Sequence, residues 1–82
     1  MQVPTIHLNG TPASHLAQEV EDAYAAVNAA IDALAKMTVN GRDYYPQGPD
    51  AFELANREHA DRIARLRSVA NELEEYACSL PI

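Results

Sequence analysis

The stretch LAQEVEDAYAAVNAAIDALAKM, residues 16–37, decides the fold of this chain. Its apolar positions run Leu16, Val20, Ala23, Val27, Ala30, Leu34 and Met37. The steps alternate four and three, which places all seven on one face of an α-helix. Tyr24 and Ile31 widen that face beyond the narrow seam of a two-stranded coiled coil. Thr11-Pro12 supplies a helix start, since threonine caps free N–H groups and proline is tolerated in the first turn. Asn40-Gly41 supplies an end, with glycine free to take the left-handed closing conformation.

The same pattern returns after a break. Phe52, Asn56, His59, Ile63, Leu66, Ala70, Leu73, Ala77 and Leu80 again step by four and three, and Ala55, Val69 and Tyr76 broaden the stripe. Asp50 with Glu53 has the spacing of a capping box, and Pro81 blocks further extension. Between the two patterns, Arg42-Asp43-Tyr44-Tyr45-Pro46-Gln47-Gly48-Pro49 forbids a continuous helix. Ahead of the first, Ile6 and Leu8 alternate with His7 and Asn9, and Asn9-Gly10 marks a turn. The expected organisation is all-α and a single domain: an extended arm over 1–11, a helix over 12–39, a loop over 40–49 and a helix over 50–79. Each helix is roughly 40–45 Å long at 1.5 Å per residue.

Two long helices with a short connection pack antiparallel as a hairpin. That register sets Lys36 near Glu53, and Glu21 and Asp22 near Arg65 and Arg67. Tyr24, Ile31, Phe52, Val69 and Tyr76 cannot all face a single partner helix, so a homo-oligomeric bundle of hairpins is expected. Size agrees, because an 82-residue chain has little interior to stabilise it. With Cys78 as its one cysteine it has no internal disulfide, which points to a reducing, cytoplasmic setting. No apolar run reaches membrane-span length, and the N-terminus lacks a signal-peptide pattern. The net charge of -6 disfavours binding of a nucleic-acid polymer.

The loop carries the densest chemistry. Arg42 offers a fork of donors to phosphate. Tyr44 and Tyr45 offer stacking faces, and Asp43 and Gln47 offer hydrogen bonds to a base edge. The plainer reading, which the residues alone favour, is that Tyr44 or Tyr45 plugs the open end of the hairpin and Arg42 pairs with Asp43 or a helix end. His59, on the core face, reads as a hydrogen-bonded interior histidine, with Asn56 as a candidate partner, ahead of a metal ligand or base. His15, Glu19 and Asp22 have a spacing that holds a metal, yet suit an exposed helix start better. Arg57, Arg62, Arg65 and Arg67 spread around the second helix. They answer the acidic first helix, with Arg62 beside the core stripe where an anion at a subunit interface would meet it. Cys78 has no activating neighbour and reads as a small filler. No phosphate loop, cysteine metal set or catalytic triad is present, so neither a cofactor nor a metal is expected and the chain reads as a non-enzyme.

The arm Ile6-His7-Leu8-Asn9-Gly10-Thr11 and the loop Asn40-Gly41-Arg42-Asp43-Tyr44-Tyr45-Pro46-Gln47, separated by one amphipathic helix, resemble a group of short helical proteins of tailed phages and prophages. The likeness covers nearly the whole chain and rests on these two polar motifs. It implies a phage context, and so a host-cell cytoplasm. Small oligomeric phage proteins include sponges that sequester the nucleotide second messengers of bacterial immunity, and this chain is similar to them in size and helical character. The expectation is a homo-oligomer that binds a small anionic, nucleotide-like ligand through Arg42, Asp43, Tyr44, Tyr45 and Gln47, with Asn9 and Thr11 from the arm. Arm and loop lie a helix length apart, so they share a site only if subunits pack head to tail. The alternative is an interaction module that binds a host or virion protein through its apolar helical face.

Overall fold

A computed structural model describes residues 1–81. The chain is an antiparallel helical hairpin: α1 (Ala13–Lys36), a short α2 (Gly41–Tyr44), a 3₁₀ turn (Tyr45–Gln47) and α3 (Ala51–Ser79). α1 packs along α3, while α2 and the 3₁₀ turn sit across the start of α3. None of the described residues is in a strand. The arm is irregular and closes on a turn at His7–Gly10, where the Gly10 amide donates to the His7 carbonyl at 3.1 Å.

Helix ends differ from expectation in three places. α1 stops at Lys36, not 39, because Met37 turns extended and the β-branched Thr38 and Val39 follow it. Asn40 does not end α1; its side chain accepts from the Arg42 amide at 3.0 Å and so starts α2. Gly41 is therefore helical, and the positive φ of the connection falls at Gly48, where φ is 111°. Thr11 does not cap α1: Pro12 occupies that position, its carbonyl accepting from His15 and Leu16, with no side-chain cap bond. Asp50 precedes α3 with helical backbone angles and makes no cap bond, so the Asp50–Glu53 box does not form.

The buried face is also rotated. On α1 it runs through Val20, Tyr24, Val27, Ile31 and Leu34, with Val20 and Ile31 the most buried, while Ala23, Ala30 and Met37 are exposed. The reason is area: Tyr24 and Ile31 remove far more apolar surface from water than Ala23 and Ala30. On α3 the expected positions hold from His59 through Leu73 and at Leu80, but Phe52, Asn56 and Ala77 face solvent. Cross-helix ion pairs are absent among the described residues; the two present are i,i+4 pairs within α3, Arg62–Glu58 and Arg65–Asp61. The early stop of α1 explains this. His59 donates to the Leu34 carbonyl at 2.8 Å, which sets those residues level. Lys36 then lies level with Arg57 instead of Glu53, and Glu21 with Glu72 instead of Arg65.

The interior is thin. Val20, Ile31, Ala70 and Leu80 are the buried apolar residues, and no side chain among the described residues is fully enclosed. The hairpin exposes 6269 Å². A compact monomer of its mass exposes about 4,850 Å². Its radius of gyration is 18.6 Å, against about 12 Å for a compact domain of this length. Two helices alone leave Val69, Leu54, Met37 and Phe52 wet. Of the described residues, no helix is long and apolar enough to cross a membrane.

Replacing Ile31, 8% exposed against α3, by alanine removes a central part of this interior. Urea unfolding is expected to register a loss of about 2–3 kcal/mol. Asp61→Asn, which deletes an exposed ion pair, is expected to cost about 0.5 kcal/mol or less.

Candidate functional site

α3 is five residues longer than α1, 29 against 24. Its first turns therefore project past the end of α1 and need other cover. α2 and the 3₁₀ turn supply it, and the space between these parts forms two clefts. The first, about 280 Å³, is lined by Met37, Thr38 and Val39 after α1, by Tyr44 and Gln47, and by α3 from Ala51 to Arg62. The second is a shallow aromatic hollow of Tyr44, Tyr45, Pro46, Pro49 and Phe52. Tyr44, half-buried, belongs to both and stands between them.

The polar groups of the first cleft converge from different parts of the chain: Thr38, Tyr44, Gln47, Glu58, His59 and Arg62. His59 is held most firmly. It is 9% exposed, and its Nε2 is 2.8 Å from the Leu34 carbonyl, one of the last four of α1. A carbonyl only accepts, so Nε2 carries the proton. Helix ends leave such carbonyls short of partners, and here the histidine supplies a second donor beside the Met37 amide. The partner of His59 is thus backbone, and the expected Asn56, exposed on the next turn back, is not it. In the neutral ring Nδ1 is left as an acceptor. No buried side-chain nitrogen or oxygen among the described residues lacks a partner, so solvent reaches Nδ1. Arg62 is about half exposed and only loosely paired with Glu58, at 3.8 Å, which leaves donors free for an anion.

The residues singled out in the sequence divide into three groups. Tyr44 and Gln47 line the polar cleft, and Tyr45, 85% exposed, lines the aromatic hollow. Arg42 and Asp43 are exposed on α2 and line neither. Asn9 and Thr11 lie beyond the other end of α1, about 36 Å away along its axis. The cation on the cleft is Arg62, and His59 lines the same cleft one turn back. In the sequence nothing joins these two to the loop except their i,i+3 spacing in the first turns of α3. His15, Glu19 and Asp22 do not come together as a ligand set: no group of three His, Cys, Asp or Glu side chains among the described residues is placed to hold a metal ion.

A third cleft, about 370 Å³ and mainly apolar, opens between α1 and α3 at the far end of the hairpin, where Val20, Tyr24, Leu73 and Cys78 line it between Glu21 and Glu74. Cys78 is exposed there and not packed as an interior filler.

His59→Leu keeps the volume but removes the donor to Leu34. A loss of about 1–2 kcal/mol in unfolding free energy is expected, with faster amide exchange in the last turn of α1 and little change in that of α3. Compared with known proteins, the chain matches no family model, no curated protein and no solved structure.

Proposed function

We propose that the chain is a non-enzymatic small protein of phage or prophage origin that self-associates and binds a small anionic, nucleotide-like ligand at its loop end, sequestering it as a sponge does. One observation carries the ligand reading: Tyr44 separates a polar cleft holding Arg62, Gln47 and His59 from a hollow of Tyr45, Phe52 and two prolines. A nucleotide has the same two-part character, an anion joined to a flat ring. Arg62 takes the phosphate. Gln47 and His59 Nδ1 meet polar edges, and Tyr45 with Phe52 provides the stacking face. Arg42, exposed on α2, adds a second cation outside the cleft. The clefts are open, so a ligand is enclosed only when another subunit closes over them.

A second reading is favoured by the exposure of Leu54 and Val69 on α3. In it the apolar helical face binds a host or virion protein, and the loop only closes the hairpin.

Thermal-shift titration with linear and cyclic nucleotides separates the two. The ligand reading expects one of them, at about a hundred times its Kd, to raise Tm by roughly 10 °C. The rise is expected to vanish in Arg62→Ala/Tyr45→Ala and to persist in part in Arg42→Ala. No rise with any nucleotide, or an equal rise in the double variant, contradicts it.

A further inference from the structure

The free surface of this hairpin differs sharply between its two ends. All six lysines and arginines lie between Lys36 and Arg67, balanced by six acids over Asp32–Asp61. The other six acids, Glu19, Glu21, Asp22, Glu72, Glu74 and Glu75, stand at the arm end without a lysine or arginine. The whole net charge of -6 therefore sits at one end of the molecule. At the loop end, Lys36 and Arg57 are level with one another and have no ion-pair partner among the described residues.

Apart from Val69 along α3, the exposed large apolar side chains are also gathered at the ends. Leu8, 98% exposed, and Met1 mark the arm. Tyr45, Phe52, Leu54 and Met37 mark the loop end. Finally, the hairpin exposes 6269 Å², roughly 1,400 Å² above a compact monomer of its mass. That excess exceeds the approximately 800 Å² per partner of a standard stable interface.

We infer that the surface is covered by a second copy of the chain lying antiparallel to the first, each copy's arm resting on the other's loop end. The inference rests on the self-association in the proposed function and gives it an orientation. A parallel pair brings twelve carboxylates to one end with no lysine or arginine among them, and like charges there oppose assembly. An antiparallel pair does the reverse. α3 spans Ala51–Ser79 and is centred on Arg65. Full overlap about that centre sets Arg57 level with the partner's Leu73, between the partner's Glu72 and Glu74. Lys36, level with Arg57, falls opposite the same acidic end. The arm precedes Ala13, so Leu8 reaches the partner's loop end, where Tyr45 and Phe52 are uncovered. Two isolated apolar exposures then become one buried contact, made twice by symmetry. Asn9 and Thr11 arrive at the partner's Tyr44 and Tyr45 in the same step. A single hairpin cannot bring them there, and the ligand site is completed between subunits.

Cys78 is the one cysteine and is exposed, so a nitroxide attached to it reports orientation directly. Antiparallel overlap places the two labels about 40 Å apart, thirteen residues either side of Arg65 at 1.5 Å each. A parallel pair places them side by side. Because Cys78 lines the arm-end cleft, Ser14→Cys in a Cys78→Ser background repeats the measurement from an exposed site on α1. The expected result is a dimer by light scattering with a pulsed-dipolar distance of about 40 Å from both labels. Leu8→Asp is expected to raise the dimer Kd by about tenfold or more, with helical circular dichroism unchanged, and added salt is expected to loosen the dimer. A dimer with label distances below about 30 Å, or one tightened by salt and indifferent to Leu8→Asp, overturns the orientation and leaves self-association standing. A monomer at all concentrations overturns both, whereas ligand binding by that monomer would still be read separately from its thermal shift.

Discussion

Two α-helices can shield only one side of each other, and everything else in this molecule follows from that limit. A helix with a narrow apolar seam is satisfied by one neighbour. Here the apolar face of α1 spans Val20, Tyr24, Val27, Ile31 and Leu34, and that of α3 leaves Phe52, Leu54 and Val69 outside. The hairpin therefore has a seam in place of an interior, with no side chain wholly removed from water among the described residues. Hydrophobic stabilisation scales with the area buried, so such a seam contributes little against the entropy of ordering the chain.

Within the hairpin, one polar contact sets the alignment. The His59–Leu34 bond ties the third turn of α3 to the last turn of α1. It leaves the start of α3 overhanging, and the overhang is what creates the candidate site: α2, the 3₁₀ turn and residues 37–39 fold over it and line the open Tyr44 cleft. The same alignment sets acids level with acids at the arm end and cations level with each other at the loop end. Local folding thus produces an electrostatic polarity, and in the proposed dimer that polarity would favour the antiparallel arrangement.

Helix class, the hairpin and the arm's turn were legible in the sequence because they rest on periodicity and on proline and glycine placement. Register was not. It depended on where α1 stops, and Asn40-Gly41 reads equally as the end of one helix or the start of another. The side-chain bond from Asn40 to the Arg42 amide decides for the start. The buried face was misplaced at Ala23 and Ala30 because alanine counts as apolar in a pattern while contributing little area beside Tyr24 and Ile31. Tyr44, Tyr45 and Gln47 were found as a loop cluster, but Arg62 and His59 were not joined to them, since that proximity arises only from the overhang of α3. Arg42, attractive as a neighbour of the tyrosines in sequence, points to a general hazard: adjacency along a short helix does not put residues on one cleft.

In the proposed assembly each hairpin is half of a core. Melting followed by circular dichroism across a roughly hundredfold range of protein concentration tests it most directly, because association of folded chains makes Tm depend on concentration. The predicted result is one cooperative transition whose midpoint climbs steadily with concentration. A midpoint independent of concentration, with the same sharp transition, would mean that the lone hairpin is stable by itself, and would contradict it.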